Sequence, residues 1–287
     1  MNQTSASGFL YGANVRANGI RQHYLRFGGK GPALIIVPGI TTVAAQWAFV
    51  AERLCETFDM YVLDVRGRGL SESGAHLDYA IDACAADIVE FATAVGLKTF
   101  TLLGHSMGAR IGIRAARHHA SAFDQLVLVD PPVSGPGRRA YPIPLEPLLT
   151  LVRAAKRGEA DVALRGPNAP KWPEAHIRTR AEWLHTCDER AIVETHRGFH
   201  HDDIHADLPH LTMPTALIAA GKGGVILSED EVEIRQLSPS MAIKRLESAG
   251  HQMQIDDPEG FFSILASLFN SESLFSSESR RRPIGHH

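Results

Sequence analysis

The stretch Thr99-Phe-Thr-Leu-Leu-Gly-His-Ser-Met-Gly108 constrains the fold of this chain more than any other. Its apolar, β-rich first half ends at Gly104, His105-Ser106-Met107 lies between two glycines, and Ala109 to Arg117 has helical character. A strand, a sharp turn and a helix are implied. In a G-x-S-x-G turn of this kind the middle residue is held in a strained backbone conformation. Side chains two positions to either side would collide, which calls for Gly104 and Gly108. The strain lifts the Ser106 hydroxyl clear of the sheet. It also points the first N–H groups of the helix, Met107's above all, at whatever Ser106 attacks. The pentapeptide alone is compatible with an ordinary turn. A nucleophile needs in addition a histidine and a carboxylate delivered to the same sheet edge.

The flanking sequence alternates strands with helices. Ala13–Arg16 and Ile20–Phe27 read as a hairpin joined at Ala17-Asn18-Gly19. Ala33–Val37, Met60–Asp64, Gln125–Asp130, Thr215–Ala220 and Ala242–Leu246 are further strands, most of them continuous apolar runs suited to burial on both faces. Helical patterns occupy Ala44–Thr57, Ala80–Val95, Glu229–Leu237 and Pro258–Asn270. Right-handed crossovers between such strands give a mostly parallel sheet with functional groups at its carboxyl edge. The alternation breaks between residues 133 and 208, where prolines, glycines, the Arg138-Arg139-Ala140-Tyr141 cluster and helix-like segments at Leu145–Lys156 and Arg180–Phe199 read as a helical cap. The expected organisation is therefore a core of 1–132 and 209–270, a cap of 133–208, and a Ser-, Glu- and Arg-rich tail at 271–287 expected to be disordered.

Composition excludes little and suggests no large partner. With 44% hydrophobic and 21% charged residues in 287, the chain is an ordinary globule. A net charge of −3 supplies no bulk field for nucleic acid or anionic lipid, so neither is expected as a partner. The N-terminus lacks a basic region followed by an apolar one, which points to the cytoplasm. Cys55, Cys84 and Cys187 are far apart and read as buried thiols. His201 and His205 have the i,i+4 spacing of a metal pair, but they fall past a helix end and read as a solvated face; no metal and no organic cofactor are expected.

Three strand ends carry chemistry: Ser106 after one strand, Asp130 after the next and His251 after the last. A serine hydroxyl is a poor nucleophile until an imidazole takes its proton, and a carboxylate orients that imidazole and stabilises its cation. The chain order Ser, acid, His is that of one hydrolase architecture among several.

Through Val37-Pro-Gly39, Asp64-x-Arg-Gly-x-Gly-x-Ser71, Gly104-His-Ser-Met-Gly108 and Gly250-His251, residues 10–270 resemble the α/β-hydrolase superfamily. The resemblance implies an α/β fold with a mostly parallel eight-stranded sheet, flanking helices and a helical cap. It puts Pro38-Gly39-Ile40, otherwise a plain turn, where this superfamily usually carries His-Gly-x, so that the N–H groups of Ile40 and Met107 form an oxyanion hole. Most members place the acid after the penultimate strand, but that place reads Gly221-Lys-Gly-Gly224 here. Asp130 is then the nearest candidate, with Glu229 and Asp230 as alternatives.

Leu126 to Tyr141 and Arg180 to Cys187, the latter within the cap, resemble the deformylases of nicotinate breakdown. That resemblance implies a serine hydrolase that cleaves the formyl C–N bond of a small carboxylate-bearing amide, with Asp130 as the acid. An anionic substrate needs a cation, and the cap offers Arg138, Arg139, Arg178 and Arg180; Arg138 or Arg139, close behind Asp130, is the expected anchor. The same triad would serve an ester, a lactone or a C–C bond, and ligand receptors without catalysis also occur on such a fold. Dehalogenase and epoxide hydrolase chemistry needs an aspartate where Ser106 stands.

Overall fold

The computed structural model describes residues 8–166, 169 and 171–270; the expected tail at 271–287 lies outside them. Eight strands form one sheet: β1 (Phe9–Ala17), β2 (Ile20–Phe27), β3 (Ala33–Val37), β4 (Asp59–Leu63), β5 (Phe100–His105), β6 (Phe123–Val129), β7 (Thr215–Ala220) and β8 (Ala242–Leu246). Their spatial order is β1-β2-β4-β3-β5-β6-β7-β8. The β1–β2 and β2–β4 pairs are antiparallel and the other five are parallel. The first hairpin closes through Asn18 and Gly19 alone, both at positive φ (47° and 75°), so Ala17 stays in the strand opposite Ile20. A two-residue turn of that kind matches the twist of the strands it joins.

Ten α-helices among the described residues complete the fold: α1 (Ala48–Leu54), α2 (Ile81–Ala94), α3 (Met107–His118), α4 (Leu145–Lys156), α5 (Ala160–Leu164), α6 (Glu174–Trp183), α7 (Glu189–His201), α8 (Ser228–Leu237), α9 (Met253–Asp256) and α10 (Pro258–Leu268). Along β3 and β4, alternate residues enter opposite cores. Ile35 and Tyr61 join α2 and α3 residues such as Ile88, Phe91 and Ile111 on one face, while Leu34, Ile36, Met60 and Val62 join Val50, Leu54, Phe261 and Leu265 of α1 and α10 on the other. The period-2 pleat thus explains why runs apolar at every position are needed in a sheet covered on both sides. Helices α4 to α7 all fall between β6 and β7. The segment read from sequence as one helix over Arg180–Phe199 is two helices, because Asp188 leaves helical geometry and its side chain accepts the Ala191 N–H at the start of α7.

Cys84 and Cys187 are buried, whereas Cys55 is only half-buried. No helix among the described residues is long and apolar enough to cross a membrane. Nor is any group of three or more His, Cys, Asp or Glu among them placed to hold a metal ion; His205, far from being solvated, is buried.

Candidate active site

Ser106 stands at φ 54°, ψ −115° between β5 and α3. The two glycines around it are sterically fixed: a Cβ on Gly104 would lie 2.5 Å from the Gly108 carbonyl oxygen, and one on Gly108 would lie 1.9 Å from that of Val37. Asp130 follows β6 and is also at positive φ (45°). Only four described non-glycine residues adopt such a backbone, and two of them are these. Strain held at two adjacent strand ends marks a site over-determined by its surroundings. The Ser106 N–H donates to Val129 O at 2.8 Å and the Asp130 N–H to Ile218 O at 2.8 Å, so the parallel ladder itself sets the nucleophile beside the acid.

His251 follows β8, and its Nδ1–H donates to Asp130 Oδ2 at 2.6 Å. The glycine-bearing loop after β7, where most relatives of this fold carry the acid, instead wraps Asp130. Ala220 N–H donates to Oδ1 at 3.3 Å and Val225 N–H to Oδ2 at 3.2 Å. Burial raises the Asp130 carboxyl, but the hydrogen bond and charge of His251, with these two amides, outweigh it and hold the group below the usual carboxylate value. Asp230, by contrast, accepts the Leu227 N–H at 2.7 Å and pairs with Arg139, while Glu229 is exposed, so neither is committed to His251. His105 anchors the histidine loop: its Nε2 lies 2.9 Å from His251 O, and its ring sits 4.8 Å from that of His251 and 5.4 Å from Trp47. Burial, and then the charge of His251, push His105 down to about 3, so it is neutral and donates from Nε2.

The turn after β3 approaches from the other side. A Cβ on Gly39 would be 3.5 Å from Ser106 Cβ and 3.1 Å from His105 Nδ1, so a side chain here would press on the buried His105 ring. Asp64 holds the turn's far end through Ala44 N–H at 2.7 Å, and Arg68 Nε donates to Ile40 O at 3.1 Å. The N–H groups of Ile40 and Met107 have no protein acceptor among the described residues. Two rigid, unspent donors flanking a nucleophile are what an oxyanion requires.

Arg138 and Arg139 do not carry free charge into this site. Arg138 makes a bidentate pair with Glu233 of α8, one bond being 2.6 Å, and Arg139 pairs with Asp230 and donates to Val225 O. Both guanidiniums tie the segment after Asp130 to α8 instead of standing unpaired beside the nucleophile. Tyr141, noted in sequence only as part of the arginine cluster, is the residue that reaches the nucleophile. Its phenol lies close enough to Ser106 to feel it, and its ring packs edge-on against Phe199 at 4.8 Å and His196 at 5.7 Å. Burial and the charge of Asp130 raise it to about 12 against the pull of Ser106, so it is a neutral donor.

Ser106 is 2% exposed. A cleft of about 260 Å³ between α2, α3 and α7 is lined by its neighbour Met107, and another of about 230 Å³ between α1 and α6 is lined by Thr42 and by Gln252, next to His251. The chemistry such a site can perform is acyl transfer from a small substrate to serine, followed by hydrolysis.

A family model described as alpha/beta hydrolase fold matches residues 32–150. Over 264 residues, 92% of this chain and 98% of the relative, the sequence is 56% identical to N-formylmaleamate deformylase of Pseudomonas putida. The crystal structure of an N-formylmaleamic acid deformylase from Pseudomonas putida superposes with a TM-score of 0.85 at 49% identity, covering 89% of this chain and all of that one. The structure of E-2-(acetamidomethylene)succinate hydrolase, at 22% identity and a TM-score of 0.75 over 92% of this chain and 100% of that one, shares the fold. The chain belongs to the α/β-hydrolase family.

Proposed function

We propose that this protein hydrolyses the formyl C–N bond of N-formylmaleamate, giving maleamate and formate. The observation that carries the substrate assignment is the likeness to a deformylase of that name over nearly the full length of both chains, cap included. The geometry supplies the mechanism. Ser106 Oγ attacks the formyl carbon as His251 takes its proton, and Asp130, ionised and held by two backbone amides, stabilises the resulting imidazolium. The carbonyl oxygen becomes an oxyanion between the Ile40 and Met107 N–H groups. Collapse breaks the C–N bond as His251 returns its proton to the nitrogen, and maleamate leaves. Water, deprotonated by His251, then attacks the formyl ester and releases formate and Ser106. The small anionic substrate is the only partner this reaction needs.

The test is formate release from N-formylmaleamate by the purified protein and by Ser106→Ala. Equimolar formate and maleamate from the wild type and none from the variant are expected. A wild type that yields no formate, yet is labelled at Ser106 by a fluorophosphonate, overturns the substrate and leaves a serine hydrolase of another acyl group.

A further inference from the structure

Arg68 and Arg110 are buried and Arg180 is half-buried, and none of the three has a carboxylate partner among the described residues. Two of them are consumed by the fold. Arg68 donates to Ile40 O, Arg66 O, Ala191 O and Thr195 Oγ1. Arg110 donates to Pro132 O, Ser134 O, Gly198 O and Asp202 O, pinning both ends of the cap segment to α3. Arg180 differs. Its guanidinium hydrogen-bonds one described residue, donating from Nη2 to Thr41 Oγ1 at 3.0 Å and from Nη1 to Thr41 O at 3.4 Å. A guanidinium has five N–H donors, so most of its capacity is unspent among the described residues. Arg180 is half-buried, and the burial it does have lowers its pKa with no anion among the described residues beside it to oppose the shift. It lines the 230 Å³ cleft between α1 and α6.

The position matters as much as the deficit. Thr41 is the residue after Ile40, and Gln252, next to His251, lines the same cleft. One Cα–Cα step and one hydrogen bond separate the Ile40 amide from the guanidinium, a span of about 6–8 Å. That is the reach of a short chain with a carbonyl at one end and a carboxylate at the other.

Resting on the deformylase reading, we propose that Arg180 is the anchor for the substrate's carboxylate: seated on Thr41 beside the oxyanion turn, it pairs through its unspent N–H groups with the terminal carboxylate while the formyl carbonyl enters the Ile40–Met107 hole. The specificity follows from the chemistry. A substrate lacking the anion leaves a half-buried guanidinium unpaired, so small neutral amides are rejected, while planar carboxylates are accepted through a bidentate pair.

The experiment compares wild type, Arg180→Lys and Arg180→Met on N-formylmaleamate and on N-formylmaleamide, in which an amide replaces the carboxylate. Protection of Ser106 by maleamate against an uncharged fluorophosphonate is measured alongside. Arg180→Met is expected to raise KM for the anionic substrate about 30–100-fold, to change kcat/KM for the neutral one less than about threefold, and to abolish protection by maleamate. Arg180→Lys is expected to restore part of the anionic affinity. Equal losses on both substrates, with slowed labelling, would instead make Arg180 a clamp of the oxyanion turn and overturn the proposal, as would an unchanged KM. If the wild type releases no formate, the substrate reading fails separately. Protection by maleamate, present in wild type and lost in Arg180→Met, still decides the anchor, and protection that persists in the variant rejects it.

Discussion

His251 Nδ1 lies 2.6 Å from Asp130 Oδ2, an acid carried on positive-φ backbone at the end of β6 rather than on the loop after β7. That loop, Gly221 to Gly224, passes so close that a Cβ on Gly224 would stand 3.2 Å from Asp130 Oδ1. It has exchanged the supply of a carboxylate for the supply of backbone donors to one. Replacing Asp130 by Asn keeps the shape but lets the amide present a donor to His251, which favours the wrong tautomer. Formate release is expected to fall about 10³–10⁴-fold in kcat for Asp130→Asn. Asp230→Asn, at the alternative acid, is expected to stay within about threefold; a reversed ranking would reassign the acid.

Much of this was legible in the sequence because it follows from local rules. Five-residue apolar runs can only be strands buried on both faces, and Gly104 and Gly108 announce a turn no side chain would tolerate. The order Ser106, Asp130, His251 then falls on one sheet edge through topology alone. The cap was harder. No glycine or proline separates α6 from α7, only the capping side chain of Asp188, and short α5 gives too few turns for a period to show. Charge placement was not legible at all. Arg138 and Arg139 sit suggestively behind Asp130, yet Glu233 and Asp230, more than ninety residues away, neutralise them. Tyr141 and Arg180 owe their importance to where the cap folds, which no spacing reports.

Tyr141 offers the nucleophile a neutral hydroxyl in a site closed to bulk water. Tyr141→Phe retains the ring contacts with Phe199 and His196 and deletes only the donor. The variant is expected to fold normally and to lose about tenfold in kcat/KM for N-formylmaleamate, the worth of one buried hydrogen bond near the reacting atoms. Steady-state formate assays with a thermal melt check this, and an unchanged kcat/KM would leave the phenol a packing group.

Arg139 holds Val225 O while Val225 N–H holds Asp130, so its guanidinium acts on the acid through one residue. Arg139→Met is therefore expected to lower kcat several-fold with KM within about twofold. Arg138→Met, which loses only a half-exposed pair with Glu233, is expected to leave both constants within about twofold. A large rise in KM for either variant would return these residues to substrate binding.

His105 links catalysis to acid stability. The folded protein keeps it neutral down to about 3, whereas an unfolded chain protonates it near the ordinary value of about 6.5. Below about pH 6.5 the unfolded state binds a proton that the folded state refuses. The stabilisation is therefore complete above that pH and is lost as pH falls toward 3, at up to about 1.4 kcal/mol per pH unit. His205, lowered to about 4 by its burial and then by the charge of Arg138, adds in the same direction. Glutamine at 105 places an amide N–H close to the Nε2 position and retains the donor to His251 O without a titrating group. Denaturant unfolding of wild type and His105→Gln between pH 4.5 and 7.5 is expected to give curves whose acid slopes differ by one proton, the variant being the flatter. Parallel slopes would mean that His105 takes up its proton inside the fold, and the 2.9 Å contact with His251 O would then belong to an imidazolium.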